Sequence, residues 1–137
     1  MSCNRHDKET EREIMKEQIN ELVKDIHETN KSAGWWNDPI TGESLLDNPY
    51  VIGTKFMLVT TEVAEAVEGF RKNLMDDKLP QYKMVDVEIA DAVIRLFDLA
   101  GALNVDLGKI IEKKREVNAN RADHKVENRL KDGGKKF

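Results

Sequence analysis

Apolar residues recur every three or four positions along four stretches of the chain, and this spacing predicts an all-α, four-helix fold. In the first stretch the pattern runs from Met15 to Ile26 and follows Thr10-x-x-Glu13, a capping-box pattern that opens helices. We therefore expect a first helix from Thr10 to about Asn30. No stretch alternates between apolar and polar residues as a half-buried strand does.

Cap and turn residues place the remaining helices. Asn48 precedes Pro49 and Asp106 precedes Leu107, and both patterns are typical of helix starts. Glycine and proline punctuate a loop at 31–48. The three helices are therefore expected at about 49–75, 80–103 and 107–120. The third of the four is apolar on most sides, so we expect it to be the most buried.

The length of the chain, 137 residues, suits one domain with one modest core. We predict a single all-α domain over residues 1–122 and a mobile basic tail over residues 123–137. Four helices of this size leave apolar stripes with too few internal partners. The sequence therefore predicts a homodimer or homotetramer, with the active cleft near a subunit boundary.

The charge of the chain is unevenly distributed. The net charge is −4, which disfavours nucleic acid as the main ligand. Residues 109–137 hold ten Lys and Arg against five Asp and Glu, a net of +5, so the preceding residues carry −9. This division suits a protein that binds metal ions with one part and anions with the other. A solvated, basic last helix would give the same count.

Cysteine content and hydropathy bear on localisation. Cys3 is the only cysteine, so no internal disulfide can form and a reducing compartment is expected. We find no signal-peptide pattern, and no apolar run approaches the length of about 20 residues that spans a membrane. The sequence therefore predicts a cytoplasmic protein without a membrane partner.

Two acidic motifs lie inside apolar, helix-like runs: Glu62-x-x-Glu65 and Glu88-x-x-Asp91. Three residues along a helix is a rotation of about 300°, so both members of each pair face nearly the same way. The 22 residues between Glu65 and Glu88 are enough for a turn and an antiparallel return. Four converging carboxylates need a counter-cation, and Mg²⁺ prefers oxygen ligands. We therefore predict a magnesium site, with Mn²⁺ as a substitute.

The alternative is that these acids are ordinary surface residues of amphipathic helices, where Glu and Asp are common. Arg95 bears on this choice, because its spacing allows an ion pair with Asp91 or Asp98 on the same helix. Such a pair would weaken the interpretation as a metal site.

A basic motif, Lys114-x-x-x-Asn118-x-x-Arg121, places three polar residues on one helix face. Lys and Arg bind phosphate oxygens, and Asn can hydrogen-bond phosphate or sugar. Lys135 follows Gly133-Gly134, a pair that would let the tail fold over a bound triphosphate. The alternatives are a basic helix end that complements the helix dipole, and a disordered basic tail.

Two adjacent tryptophans, Trp35 and Trp36, lie in the first loop. Tryptophan usually packs in a core or an interface, but its ring can also stack on a nucleobase. Because neighbouring side chains point in different directions, one ring is expected in the core and the other against a ligand.

Three segments, TEVAEAVEGFRK, VEIADAVIRLFDLAG and EKKREVNANR, occur in this order between Thr61 and Arg121. They resemble the MazG-like, all-α nucleoside triphosphate pyrophosphohydrolases. The closing GGKK is similar to the end of the short MazG-like proteins of phages and bacteria, and the resemblance covers about residues 35–136. The dimeric dUTPases and the phosphoribosyl-ATP pyrophosphohydrolases share the same helical plan.

The resemblance implies Mg²⁺-dependent hydrolysis of a nucleoside triphosphate to the monophosphate and pyrophosphate, in control of the nucleotide pool. It implies metal ligands at the four motif acids and phosphate contacts at Lys114, Asn118 and Arg121. One position departs from the pattern: many relatives have EExxE, and here the first position is Thr61. Threonine cannot serve as an acidic ligand, and Glu68 is the nearby acid that would replace it.

The chemistry also fits the residues by themselves. Phosphoanhydride hydrolysis needs charge neutralisation, alignment and a water nucleophile rather than covalent participation by the protein. A carboxylate that is not fully used as a ligand can take the proton of the water, and Glu62 or Glu65 is the candidate catalytic base. Two other functions remain open: a non-catalytic regulatory protein that binds nucleotide or metal, and a purely structural helical oligomer.

Overall fold

The computed structural model describes residues 5–137, and Cys3 lies outside this range. The described chain contains four long helices, α1 (Arg5–Ser32), α2 (Pro49–Lys72), α3 (Met84–Ala102) and α4 (Leu107–Asn120). A 3-10 turn (Ala122–His124) and the one-turn helix α5 (Val126–Arg129) follow. The described residues form no β-strand, so the all-α expectation is confirmed.

Two helix starts differ from the expected ones. Helix α1 already includes Arg5, so Thr10 lies inside the helix and the capping-box prediction was wrong. Glu, Arg and Lys on both sides of Thr10 are good helix formers, which allows the helix to continue through it. Helix α3 begins at Met84 rather than near Pro80, because the Asp76 carboxylate accepts hydrogen bonds from the amides of residues 78 and 79 and holds them in a turn.

The chain divides into two compact units. The central unit is Glu21–Val105, and the terminal unit combines the residues up to Asn20 with Asp106–Phe137. Helix α1 contributes residues to both units. The units are described separately below.

In the central unit, α2 and α3 run antiparallel. Gly69, near the end of α2, faces the start of α3 so closely that a Cβ there would come 2.8 Å from Met84 Cβ. The capping predicted at Asn48 is confirmed, since its side chain accepts hydrogen bonds from the amides of residues 50 and 51. The end of α1 packs on α3 at Gly101, where an added Cβ would lie 2.4 Å from His27 Cβ. Antiparallel pairing of α2 and α3 is what the acidic motifs require.

In the terminal unit, α1 and α4 are joined by a pair of side chains. Asn20 Nδ2 donates to Asp106 Oδ1 at 2.8 Å, and Asn20 Oδ1 accepts from the Gly108 amide at 2.9 Å. Asp106 also caps α4 by accepting from the Lys109 amide, as predicted. Gly108 is needed at this contact, because a Cβ would lie 2.4 Å from the Lys16 carbonyl oxygen.

Apolar side chains remain exposed along α2 and α3. Helix α3 does contribute Leu99 and Ala100 to the core, but Ile89 on the same helix is 55% exposed. Other exposed apolar residues on the two helices are Val63, Val67, Phe70, Val93 and Leu96. Among residues 5–137, no helix combines the length and the apolar character that crossing a bilayer requires.

Candidate metal centre and the adjoining cavity

Three of the four motif acids converge between α2 and α3. Glu62, Glu65 and Glu88, here called the acidic triad, each offer a carboxylate oxygen within 4.8 Å of the others. The spacing of each motif and the antiparallel helix pair account for this convergence. Glu62 and Glu88 are 7% and 6% exposed, whereas Glu65 is open to solvent. A group of three carboxylates at these distances can hold a metal ion.

The electrostatics of the triad are unfavourable without a cation. Burial, the hydrogen bond with Glu62 and the charges of Glu65, Glu62 and Asp91 together raise the pKa of Glu88 from 4.5 to about 7, and burial is the largest cause. This carboxyl therefore keeps its proton to a higher pH than an ordinary glutamate does. A divalent cation between the three side chains would remove both the repulsion and the need for that proton.

Asp91, the fourth predicted ligand, is not a member of the triad. It lies three residues along α3 from Glu88, is half-buried, and acts on Glu88 through its charge. Its side chain also lines a cavity next to the triad, which is described below.

Arg95 pairs with neither of the two acids that its spacing along α3 allows. Its Nε donates to Glu62 Oε1 at 2.5 Å, across the helix pair, instead of pairing with Asp91 or Asp98 on its own helix. The ion pair that the spacing allowed does not form: Asp98 already accepts two other hydrogen bonds, while Glu62 is buried and has no other cationic partner among the described residues. One carboxylate of the triad is thus already partly neutralised.

The residue at the departure from EExxE does not contribute to the triad. Thr61 is exposed, and its hydroxyl donates to the Leu58 carbonyl oxygen at 2.7 Å. Glu68 does not replace it, because its carboxylate pairs with Arg71 and Lys72 on the surface of α2.

The two tryptophans have different environments. Trp36 is 1% exposed, and its indole Nε1 donates to Asp98 Oδ1 at 2.8 Å. Trp35 is 67% exposed. Trp36 is therefore the tryptophan in the core, and Trp35 is the one that remains a candidate for stacking on a base.

A cavity of about 400 Å³ lies in the central unit beside the triad. Trp35 and Lys55 line it, together with three charged residues of α3, which are Asp91, Arg95 and Asp98. The Lys55 ammonium lies 4.4 Å from the ring centroid of Trp36. Arg95 connects the cavity to the triad through its pair with Glu62. The volume is large enough for a nucleobase.

The predicted phosphate-binding residues all lie in the terminal unit. Lys114 is exposed on α4, and Asn118 lines a cavity of about 590 Å³ between α1 and α4. Asn118 Oδ1 is buried and lacks a hydrogen-bond partner in the described chain. Arg121 lies just beyond α4 in extended backbone, so it does not share a helix face with the other two as expected.

Arg121 and Lys135 converge on one carboxylate. Arg121 donates two hydrogen bonds to Asp123, at 2.9 and 2.7 Å, and Lys135 Nζ lies 2.8 Å from Asp123 Oδ2. These contacts hold the pKa of Asp123 well below its usual range. The tail reaches this position because Gly133 adopts a φ of +75° and the Arg129 guanidinium binds the carbonyl oxygens of Lys135 and Lys136.

Three further residues were not predicted from the sequence to be site residues. Asp123 is one of five acids in a basic segment, and the charge count does not distinguish it. Lys55 carries no motif. Asp98 belongs to the polar stripe of α3 that also contains Glu88, Asp91 and Arg95, and this stripe was the available signal.

Comparison with protein-family models, with curated proteins and with solved structures finds no match to this chain.

Proposed function

We propose that the chain is a Mg²⁺-dependent nucleoside triphosphate pyrophosphohydrolase of the MazG-like type. It hydrolyses an NTP or a dNTP to the monophosphate and pyrophosphate and so controls the nucleotide pool. The observation that carries the proposal is the acidic triad, with its oxygens within 4.8 Å of one another on two antiparallel helices.

The residues fit the metal. All donors in the triad are carboxylate oxygens, and no histidine or cysteine belongs to the group, which favours Mg²⁺, with Mn²⁺ as a substitute, over zinc. Asp91 is proposed as a further ligand, because it lies one turn along α3 from Glu88 and its charge acts on that carboxyl. When bound, Mg²⁺ supplies charge neutralisation for the phosphates and acidifies water.

Glu65 is the better candidate for the base. Glu62 is held by Arg95, whereas Glu65 is exposed and makes no hydrogen bond or ion pair within residues 5–137. In the proposed step Glu65 takes a proton from water as the water oxygen bonds to the α-phosphorus and pyrophosphate leaves. Glu65→Gln should therefore lose turnover even at saturating Mg²⁺, and activity near that of the wild type would exclude this role.

The phosphate contacts are proposed at Lys114, Asn118, Arg121 and Lys135. Two of them, Arg121 and Lys135, already hold an oxyanion of similar chemistry, the Asp123 carboxylate. Guanidinium and ammonium donors that converge on a carboxylate also suit a phosphate. Trp35 is the proposed base-stacking residue, because its ring is exposed at the cavity beside the triad.

The deciding experiment measures pyrophosphate release from a panel of NTPs and dNTPs, with Mg²⁺ and with a chelator. We expect turnover that needs the metal. Saturable nucleotide binding without turnover would overturn the proposed enzymatic activity. It would favour a non-catalytic regulatory protein that binds nucleotide and metal. The Arg95–Glu62 ion pair favours that second candidate, because it places a protein cation where a metal would otherwise act.

We also propose that the helices complete their core by forming a homodimer or homotetramer. The exposed apolar residues of α2 and α3 support this, since contiguous apolar surface is unfavourable in water. Sedimentation velocity at micromolar concentration tests it, and a stable monomer would contradict it.

A further inference from the structure

Asp98 is a buried carboxylate that the proposed hydrolysis does not use. Asp98 is 5% exposed, and its Oδ1 accepts a hydrogen bond from Trp36 Nε1 at 2.8 Å. His27 Nδ1 lies 2.8 Å from the same oxygen. A buried carboxylate is costly unless its oxygens are satisfied, so the second oxygen needs an explanation.

That second oxygen, Oδ2, makes no hydrogen bond within residues 5–137. It is also not fully enclosed by protein atoms, unlike Asn118 Oδ1. Asp98 lines the 400 Å³ cavity of the central unit. Since Oδ1 is turned toward Trp36 and His27, Oδ2 is the oxygen available to a ligand in that cavity. Two rigid aromatic partners fix the orientation of the carboxylate.

The remaining walls of the cavity suit a planar, partly polar ligand. Trp35 offers an exposed indole face, and Asp91 and Arg95 connect the cavity to the triad where the phosphates are proposed to react. Lys55 has its ammonium over the ring of Trp36 and adds a cation to the wall of the cavity. A base in the cavity would therefore present its edge to Asp98 Oδ2.

We propose that Asp98 selects nucleotides whose base carries an amino group, and disfavours uracil and thymine. An ionised carboxylate only accepts hydrogen bonds, so it binds the amino groups of cytosine, adenine or guanine. The carbonyl oxygens that flank the single ring N–H of uracil and thymine would be repelled by it. The turnover part of this inference rests on the proposed function, but the binding part does not.

Asp98→Asn gives a sharp test because the amide can be oriented in only one way. Trp36 Nε1 is a donor and cannot accept, so the amide oxygen must keep the place of Oδ1. The amide Nδ2 then faces the cavity as a donor. The preference should invert, from the 4-amino group of cytosine to the 4-carbonyl group of uracil, which a purely structural role for Asp98 would not produce.

The experiment compares kcat/KM for CTP and UTP, which differ at this edge of the base only. We expect the wild type to favour CTP by at least about tenfold, since a buried hydrogen bond to a charged group is worth about 1.5–3 kcal/mol. Asp98→Asn should favour UTP. Asp86→Asn is the matched control, because Asp86 is an exposed acid on the same helix that does not line the cavity, and it should keep the wild-type ratio.

A parallel measurement of CMP and UMP binding, by quenching of tryptophan fluorescence, separates the two proposals. If no nucleotide is turned over but CMP binds more tightly than UMP, the proposed hydrolase activity is overturned and the proposed role of Asp98 is supported. Turnover with equal kcat/KM for CTP and UTP, or equal binding of CMP and UMP, overturns the role of Asp98 in the wild type. These wild-type measurements decide the question even if Asp98→Asn does not fold.

Discussion

The acidic triad and the Asp123 cluster, which consists of Asp123, Arg121 and Lys135, place carboxylates in opposite electrostatic environments. Within residues 5–137, only one of the three triad carboxylates, Glu62, pairs with a cation, Arg95, and the pKa of Glu88 rises to about 7. At Asp123, one carboxylate holds two cations, Arg121 and Lys135, and its pKa falls. Burial adds to the contrast, because Glu88 is buried whereas the side chain of Asp123 is 43% exposed.

The difference indicates which kind of ligand each place suits. The triad has an excess of negative charge in a partly dry setting, which suits the binding of a cation. The Asp123 cluster has an excess of positive charge around an exposed carboxylate, and such surface pairs contribute little stability and exchange easily. An anion can therefore take the place of Asp123 at low cost. The following changes test this contrast.

Glu88→Gln should have the largest effect. It keeps the shape of the side chain but removes a charge from the triad, so we expect Mg²⁺-dependent turnover to fall by about 10³-fold, or about 4 kcal/mol of transition-state stabilisation. Pyrophosphate release at saturating Mg²⁺ measures it.

Glu68→Gln is the control for that loss. Glu68 lies one turn from Glu65 on α2, but its carboxylate is used in surface pairs with Arg71 and Lys72. It should keep wild-type turnover. Equal activity of Glu88→Gln and Glu68→Gln would show that the triad is not the metal site.

The contrast was only partly predictable from the sequence. Spacing and helix periodicity identified Glu62, Glu65 and Glu88, because three-residue offsets on an antiparallel pair leave few other arrangements. The partner of Arg95 was missed, since spacing along one helix reports neighbours on that helix and not across the helix pair. The Asp123 cluster was missed because it depends on how Gly133 turns the tail back, a backbone conformation that charge patterns do not encode.

The pH dependence of stability without metal should give the next largest effect. Glu88 has a pKa of about 7 in the folded chain and an ordinary value of 4.5, so between these values the folded state binds more protons than the unfolded state. Its stabilising contribution is complete below pH 4.5 and is lost as the pH rises through 7. The loss amounts to at most about 3 kcal/mol in the free energy of unfolding.

Urea unfolding in the presence of a chelator, at pH 5 to 8, measures this contribution. Glu88→Gln cannot titrate at this position, so the difference between its curve and that of the wild type isolates Glu88. Added Mg²⁺ should restore wild-type stability at pH 8 and have less effect at pH 5, where protons compete for the carboxylates. If the free energy of unfolding changed with pH in the same way for the wild type and Glu88→Gln, the raised pKa of Glu88 would be contradicted.

Arg95→Gln should have a smaller effect and the opposite sign. Removal of the guanidinium leaves Glu62 without its cation, so the triad should bind Mg²⁺ about tenfold more tightly, by about 1.4 kcal/mol. Thermal stability without metal should fall, because a buried carboxylate loses its partner. Calorimetric titration with Mg²⁺ measures the affinity, and Arg71→Gln, which removes a surface partner of Glu68, is the control. Weaker Mg²⁺ binding by Arg95→Gln would indicate that Arg95 organises the triad instead of competing for it.

The smallest effect is expected at the exposed cluster, where Asp123→Asn removes the internal anion. Arg121 and Lys135 should then be free to bind inorganic pyrophosphate a few-fold more tightly, with a gain that shrinks as salt is added. Isothermal titration at low and high ionic strength measures it, and Asp132→Asn, an exposed acid in the same segment, controls for the change in net charge. Because the pairs are exposed, the thermal midpoint should not move. If pyrophosphate bound equally to Asp123→Asn and Asp132→Asn, Asp123 would be a passive surface acid, and the two clusters would differ in burial but not in the kind of ligand that they bind.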